Sequence, residues 1–277
     1  LFPLIIEAYG YERFGILTLI WALIGYFGLF DLGLSRALTQ LVSKLLSQES
    51  SQRELSSLIK TGFRIMWGLG IISGLLLWFS SSYLITEFLS LQGNLAEEAI
   101  SAFSILAFSI PIVVHTSAIR GVLESLYAFK TISLIRTFLG VGTFLVPYVT
   151  SLYSVSLVTL VYGLILLRIA VWLMYLWARK SKITLNKESS FELQWLKPLF
   201  SFGGWMTVTN VIGPVMVYFD RFVIASVIGV SAVTFYVAPY EVITKLWVIP
   251  AAISSVLFPV FSKEWKVNPL KSVDLLN

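Results

Sequence analysis

Residues 201–261 read SFGGWMTVTNVIGPVMVYFDRFVIASVIGVSAVTFYVAPYEVITKLWVIPAAISSVLFPVF and decide the fold of this chain. Two apolar blocks meet in this stretch at the tight turn Gly229-Val230-Ser231. A helix that crosses a bilayer needs about 20 predominantly apolar residues, and each block is long enough. The sequence therefore predicts two consecutive transmembrane helices joined by a tight turn.

Both blocks carry charged side chains at positions that a bilayer would surround. These are Asp220 and Arg221 in the first block and Glu241 and Lys245 in the second. A charged side chain at the bilayer centre costs about 2.5–3.5 kcal/mol on insertion scales, so each should face protein or water. Four prolines interrupt the same helices: Pro214, Pro239, Pro250 and Pro259. Interrupted, charged helices are typical of transporters, whose binding cavities they line.

Composition extends this interpretation to the whole chain. The 277 residues are 57% hydrophobic and 13% charged, with a mean hydropathy of +0.85, whereas an ordinary soluble domain is about 25% charged. The chain has no cysteine and one histidine, His115, which excludes disulfides, thiolate metal sites and clustered imidazole ligands. A nucleotide-binding GxxxxGK motif does not occur, so the chain is not itself an ATPase.

Hydropathy divides the chain into eight predicted spans, the first of which contributes only its end. Their predicted bounds are 1–6, 14–38, 61–88, 100–125, 127–148, 155–177, a seventh span from Pro198 to Gly229, and an eighth that ends near Phe261. The polar stretch 7–13 predicts a turn, and residues 39–60 predict an amphipathic segment on the membrane surface. Gly70 and Gly74 have the spacing that lets two helices approach closely. Both ends look internal, so we expect a fragment of a longer protein.

Basic residues between the spans predict the orientation. One side would hold Lys44, Arg53, Lys60, Lys130, Arg179, Lys180, Lys182, Lys187 and the lysines after residue 261, and the other side Arg13. Basic loops stay in the cytoplasm, so the turn at Gly229 should face outward, and the net charge does not indicate nucleic-acid binding. We expect an N-terminal lobe at 1–178, a cytoplasmic inter-lobe loop at 179–198 and the start of a C-terminal lobe at 199–277.

An internal echo predicts a repeat. A shift of 219 residues aligns Ile5 with Ile224 and Gly10 with Gly229. Further identities join Ile24 to Ile243, Ser35 to Ser254, Leu38 to Leu257, Ser43 to Ser262 and Lys44 to Lys263. Under this shift the first two spans overlie the seventh and eighth and run the same way. Parallel six-helix repeats are a known transporter architecture, which would give about twelve spans or more.

Four segments also resemble a known family. They are YGYERFGILTL at 9–19, FDLGLSRAL at 30–38, DRFVIASVIGVSAVTFYVAPYEV at 220–242 and IPAAISSVLFPVFSK at 249–263. The chain resembles the polysaccharide-biosynthesis flippases, including O-antigen and teichoic-acid exporters, of the multidrug/oligosaccharidyl-lipid/polysaccharide superfamily. The resemblance implies a two-lobed fold of about 12–14 helices, here from the end of helix one through helix eight. It also implies alternating access, an undecaprenyl-pyrophosphate-linked sugar as cargo, and the cytoplasmic membrane of a bacterium or archaeon.

Three arginines are candidates for binding an anionic cargo. Arg120 and Arg136 lie almost symmetrically about the turn near Tyr127, so their guanidinium groups should lie at similar depth near the cytoplasmic boundary. Arg168, on the sixth span, is a third candidate for the same site. Guanidinium groups bind phosphate oxygens bidentately, which favours a cationic floor for a pyrophosphate head-group. The alternative is that these long side chains only extend to the interface.

The charges of the last two spans allow two interpretations each. Asp220 and Arg221 point about 100° apart on a helix, so each needs a partner on another helix or water. Arg221 would either contact substrate or, with Asp220, lock the seventh span to its neighbours. Glu241 and Lys245 have the spacing and order of a helical ion pair. Either they neutralise each other, or Glu241 takes up H⁺ or Na⁺ while Lys245 binds phosphate.

Two further polar residues have expected structural roles. His115 follows Pro111 by four residues. Because proline leaves a carbonyl without its helical donor, we expect the imidazole to cap that carbonyl, with a proton relay as the alternative. Asp31 precedes Gly33 and Ser35 and should bond to its own neighbourhood.

These predictions favour an all-α polytopic membrane protein that exports a lipid-linked oligosaccharide without covalent chemistry. Helices one, two, seven and eight would line its cavity, and a H⁺ or Na⁺ gradient would supply energy with no bound cofactor or metal. Its partners would be the lipid-linked glycan and the bilayer, with the polysaccharide assembly machinery as a candidate and nucleic acid excluded. One alternative is a cation-coupled multidrug exporter, which Arg120, Arg136 and Arg221 disfavour. The other is a membrane-embedded glycan polymerase, which the short external loops disfavour.

Overall fold

The described part of the protein is a bundle of α-helices. The structure is a computed structural model that describes residues 2–26, 31–48, 51–186, 189–247 and 250, with the backbone alone for residues 202–215 and 245. Its helices are α1 Phe2–Tyr26, α2 Leu34–Ser47, α3 Gln52–Tyr83, α4 Gly93–Ala107, α5 Ile110–Ser125, α6 Phe129–Ser151, α7 Leu157–Lys182, α8 Leu196–Val227 and α9 Val230–Thr244. A π-helical turn follows α3 at Leu84–Phe88, and 3₁₀ turns occur at Leu193–Trp195 and Lys245–Trp247. No strand occurs in these ranges, and the predicted end of the eighth span lies outside them.

Two glycine turns fold the chain back on itself at equivalent places. α1 consists of two helices that meet at Gly10, where φ is 75° and ψ is 168°. α8 and α9 meet at Gly229, where φ is 119°. Positive φ is readily adopted by glycine because it has no Cβ. The predicted turns at 7–13 and at Gly229 are confirmed, and their shared geometry supports the repeat.

The predicted continuous span 14–38 is wrong at its end. α1 is described to Tyr26, φ is positive at Leu32 (48°) and Gly33 (69°), and α2 begins at Leu34. Asp31 accepts hydrogen bonds from the N–H of Gly33 at 2.9 Å and the hydroxyl of Ser35 at 2.6 Å. Local bonding of this kind offers the backbone an alternative to the helix, which sequence hydropathy does not register.

The segment 39–60 does not lie on the membrane surface as predicted. α3 begins at Gln52 rather than near Thr61, and the hydroxyl of Ser51 caps it by accepting the N–H of Glu54 at 3.2 Å. α3 is buried from Leu55 to Ile59, after an exposed first turn, and the apolar face of α2 packs against α3, α5 and α8. The amphipathic pattern was read correctly, but protein rather than lipid covers its apolar face.

α3 packs closely against the break between α4 and α5. A Cβ at Gly70 would lie 2.6 Å from Cα of Pro111, and one at Gly74 would lie 2.9 Å from the carbonyl oxygen of Ala107. No larger residue fits at either position without moving a neighbouring backbone. The close approach predicted from these two glycines is confirmed.

Among the residues that the structure describes, four helical stretches are long and apolar enough to cross a membrane: Gln52–Phe88, Gly93–Ser125, Phe129–Ser151 and Leu157–Lys182. Their outer faces expose large apolar side chains, as on α3 at Ile72 (57% exposed), Leu76 (64%) and Phe79 (73%). Soluble monomers rarely expose contiguous apolar faces of this kind. Lipid is therefore the solvent for the outside of this bundle.

Two compact units divide the chain, Leu1–Thr234 and Phe235–Asn277. The first contains α1 to α8 and the start of α9. The remaining part of α9, with the stacked rings of Tyr236 and Tyr240 at 5.7 Å, belongs to the second. The lobe boundaries proposed from the sequence stay a prediction.

Candidate functional site

Arg120 and Arg136 share one neighbour at the end of the bundle where α5, α6 and α7 meet. Tyr175, which is 2% exposed, interacts electrostatically with both arginines and with Glu124. Arg120 Nε lies 3.5 Å from Glu124 Oε1, and about two fifths of each side chain is exposed. The similar depth predicted for the two arginines is consistent with this shared contact. Arg120 also has an acidic partner that the prediction missed, although the i, i+4 spacing signals it.

The place of Arg168 in the site of Arg120 and Arg136 stays a prediction. Arg168 lies seven residues before Tyr175, about 10 Å along α7, near the middle of the span Leu157–Lys182. The side chain is mostly buried and has no hydrogen bond or ion pair within the described residues. Because an unpaired charge at that depth is expensive, a water-filled cavity or an anionic ligand beside it is the expected compensation.

His115 belongs to an aromatic cluster between α3, α5 and α7. Its Nδ1 accepts a 2.8 Å hydrogen bond from Nε1 of Trp172, and its ring lies 4.9 Å from that of Phe63 and 5.1 Å from that of Trp67. The predicted carbonyl cap is wrong. Pro111 is the second residue of α5, where an N–H has no intrahelical partner, so the proline frees no carbonyl.

Asp31 has the local structural role predicted for it. The carboxylate is 4% exposed. Besides the N–H of Gly33 and the hydroxyl of Ser35, it accepts a bond from Ser117 of α5 at 3.3 Å. Three donors satisfy the carboxylate and fix the start of α2 against α5. This arrangement favours anchoring over ion coupling.

Arg221 is buried at 2% exposure. Its guanidinium carbon lies 5.1 Å from the centre of the Tyr218 ring, and the ring packs against Gly25 of α1. Asp220 accepts the backbone N–H of Arg221 at 2.8 Å. Both contacts of the pair lie within α8, and Tyr218 is the residue that reaches α1. The choice between substrate contact and a structural role stays a prediction.

The predicted helical ion pair of Glu241 and Lys245 stays a prediction. α9 ends at Thr244, and Lys245 begins a 3₁₀ turn. The side chain of Lys245 is outside the described residues. The two residues therefore do not share one α-helix, which the i, i+4 argument assumed.

Sequence reasoning missed that the connection between α7 and α8 is bound to α3. Nζ of Lys60 donates to the carbonyl oxygens of Asn186 at 2.7 Å and Ser189 at 2.8 Å. The hydroxyl of Ser56 accepts the N–H of Asn186 at 2.9 Å. These partners are more than 120 residues apart in the chain, so no local pattern could have revealed them.

Glu98 forms a second unpredicted link, on the side of the Gly10 turn. One carboxylate oxygen lies 3.0 Å from Nε of Arg13, and the other accepts the N–H of Leu157 at 2.6 Å. Leu157 is the first residue of α7, so an acid there caps the helix and complements its dipole. The part of α1 that follows the Gly10 turn is thereby tied to α4 and α7.

No group of three or more metal-ligating side chains occurs within the described ranges.

This helical bundle has the architecture of a known class of membrane transporter. A solved inward-facing multidrug resistance transporter of the MATE family, in the MOP superfamily, superimposes with a TM-score of 0.75. The match covers 99% of this chain and 64% of the other at 13% identity, a likeness that concerns the fold. The chain is thus an all-α, multi-pass membrane protein with the MOP-superfamily fold.

Sequence comparison places it more narrowly. The profile of a family described as polysaccharide biosynthesis protein matches residues 10–266, and the chain belongs to this family. It is 34% identical over 273 residues to a putative O-antigen transporter of Shigella flexneri, covering 96% of this chain and 64% of the relative. It is 25% identical over 251 residues to the teichuronic acid biosynthesis protein TuaB of Bacillus subtilis, covering 89% and 48%. The chain therefore spans less than two thirds of either relative.

Proposed function

We propose that the protein containing this chain moves an undecaprenyl-pyrophosphate-linked oligosaccharide outward across the cytoplasmic membrane of a bacterium. The observation that carries the proposal is the 34% identity to a putative O-antigen transporter over nearly the whole chain. Both relatives with printed sources come from bacteria. Transport would proceed by alternating access of two six-helix repeats, with no covalent step and no cofactor.

The distribution of cations supports an anionic cargo. Arg168 is mostly buried within a span and has no partner in the described ranges. Arg120 and Arg136 lie together at the end of the bundle that the basic loops assign to the cytoplasm. Arg120 and Arg136 would bind the pyrophosphate first, and Arg168 would bind it deeper in the membrane. A cationic drug would be repelled at each of these points.

Arg221 and Lys245 complete the proposed set of substrate contacts. Arg221 is buried against Tyr218, so it exposes little surface to a substrate and is the weaker candidate for substrate contact. Glu241 is the candidate for H⁺ or Na⁺ uptake, because a carboxylate among apolar helices binds either ion when its charge needs compensation. The polysaccharide assembly machinery would be the source of the cargo and its recipient.

The decisive experiment uses the full-length protein in its native host. After deletion of the gene, lipid-linked glycan should accumulate on the cytoplasmic leaflet, and the wild-type gene should clear it. Arg168→Gln and the double variant Arg120→Ala/Arg136→Ala should each reduce export about 10-fold or more, since a hydrogen bond to a charged group is worth about 1.5–3 kcal/mol. Arg53→Ala, an exposed arginine at the start of α3, is the matched control and should restore export.

Two results would overturn parts of this proposal. Normal glycan export after deletion, together with altered resistance to cationic dyes, would assign the protein to drug export. Full export by both arginine variants, at normal membrane levels, would remove these residues from the substrate path.

A further inference from the structure

A reciprocal contact joins the two repeats just beyond their glycine turns. The shift of 219 residues carries Tyr11 onto Val230 and Gly15 onto Thr234. The hydroxyl of Thr234 donates to the carbonyl oxygen of Tyr11 at 2.7 Å. Gly15 faces Val230 so closely that a Cβ on Gly15 would overlap the Val230 carbonyl oxygen and lie 2.8 Å from its carbon.

This pattern is that of a local two-fold axis. Tyr11 contacts Thr234, which is the equivalent of Gly15. Gly15 in turn contacts Val230, which is the equivalent of Tyr11. Such an exchange is what a two-fold axis imposes on an interface between like units. The contact therefore supports parallel repeats through geometry, independently of sequence identity.

The contact is closely packed on the side of Gly15, whereas the side chain of Tyr11 is 52% exposed. Thr234 is 1% exposed, Val230 is 4% exposed, and Phe14 beside Gly15 is fully buried. Backbone meets backbone here, with no side chain between the helices at Gly15. By the positive-inside rule this end of the bundle faces the exterior.

The turn around Gly10 is also bonded to other helices of its own repeat. Arg13 pairs with Glu98 of α4, and Tyr9 lies 3.0 Å from the hydroxyl of Thr150 in α6. Across the repeats, the contact at this end includes the hydrogen bond from Thr234 to Tyr11 and the close approach of Gly15 to Val230. If the two repeats separate at their outer ends, this contact must break.

A deeper contact between the repeats need not break. Tyr218 of α8 packs against Gly25, and it lies 11 residues before Gly229, about 16 Å along the helix. If the helices pivot near Tyr218 and Gly25, they would separate at the Gly229 end and stay in contact at the pivot.

We propose that the reciprocal contact of Gly15 with Val230 and Tyr11 with Thr234 is the external gate of the transporter, closed in this structure. The proposal rests on the proposed transport function. Gly15 is the residue on which closure depends, since any side chain there meets a backbone carbonyl that no rotamer change can move. Thr234 contributes to the closed state through its hydrogen bond to Tyr11, which opening releases to water.

The absence of cysteine from these 277 residues allows a direct test. Thr234→Cys is introduced into the full-length protein, with any cysteine elsewhere replaced, and labelled in intact cells with a membrane-impermeant maleimide. In the closed state the thiol should react slowly. Adding Gly15→Leu should raise the labelling rate about 10-fold or more, because the rate follows the open fraction. Gly140→Leu is the control, since a Cβ at Gly140 meets nothing within 4 Å.

Gly15→Ala provides a milder second variant if Gly15→Leu does not reach the membrane, and it should raise labelling to a smaller extent. An unchanged labelling rate in a folded Gly15 variant would overturn the gate. Labelling only from the cytoplasmic side, in inverted vesicles, would overturn it too. The assay needs no cargo, so a failed glycan-accumulation experiment would refute the cargo and leave this result standing.

Discussion

Trp172 donates a hydrogen bond from Nε1 to Nδ1 of His115 at 2.8 Å, and this bond joins α7 to α5 inside the bundle. His115 is 5% exposed and flanked by the rings of Phe63 and Trp67. With Nδ1 accepting, the imidazole carries its proton on Nε2. The single histidine of the chain is thus a tertiary anchor in this structure.

We predict that replacing either partner of this bond lowers stability. His115→Leu leaves the Trp172 donor without a partner and should cost about 1–3 kcal/mol, whereas Trp172→Phe with the acceptor intact should cost at the lower end of that range. The double variant should cost less than the sum. Thermal unfolding of the detergent-solubilised full-length protein measures all three, and strictly additive losses would mean that the bond contributes nothing.

Because α3 packs closely at Gly70 but not at Gly68, we predict that alanine has opposite effects on stability at these two positions. Gly70→Ala should destabilise the protein by about 1–3 kcal/mol, because its Cβ would lie 2.6 Å from Cα of Pro111. Gly68→Ala, two residues away with open space around it, should be neutral or stabilise the helix by up to about 1 kcal/mol. Equal unfolding temperatures for the two variants would contradict the helix contact.

We predict that the ammonium group of Lys60 protects the backbone amides between α7 and α8 from hydrogen exchange. Lys60→Met removes both bonds to the carbonyls of Asn186 and Ser189, each worth about 1.5–3 kcal/mol as bonds to a charged group. Backbone amides of residues 183–195 should then exchange hydrogen faster, as measured by mass spectrometry. Arg53→Met, exposed on the same helix, serves as the control and should leave exchange unchanged.

Glu98 should matter more than its ion-pair partner. Arg13→Ala removes a pair in which the arginine side chain is 41% exposed, and such pairs contribute about 0–1 kcal/mol. Glu98→Ala also removes the cap on Leu157 at the start of α7, so it should cost about 0.5–2 kcal/mol more. Unfolding temperatures compare the two variants, and a larger loss for Arg13→Ala would show that the cap is unimportant.

Local patterns were sufficient where one segment decides its own structure. The turns at Gly10 and Gly229, the close approach at Gly70 and the local bonding of Asp31 were all predicted. In each case the determinant is a few neighbouring residues: a missing Cβ, a small-residue spacing or an acceptor beside two donors. The break at Leu32 was missed because hydropathy averages over the polar bonding that interrupts the helix.

Partners distant in sequence could not be predicted in this way. Lys60 was assigned to the surface because the carbonyls that bind it come from the far side of α7. His115 was assigned to a carbonyl in its own helix, while the available donor lay on Trp172, 57 residues away. The grouping of Arg168 with Arg120 and Arg136 stays a prediction, because it depends on how three helices pack.

The sequence by itself determined that this is a helical membrane protein, because apolar length and glycine position act within a single helix, and it predicts a repeat. The tertiary structure decided which charges are paired and which repeat surfaces meet. Those outcomes depend on how helices from distant parts of the chain pack, since a hydrogen bond or a close contact exists only between atoms that the whole fold brings together.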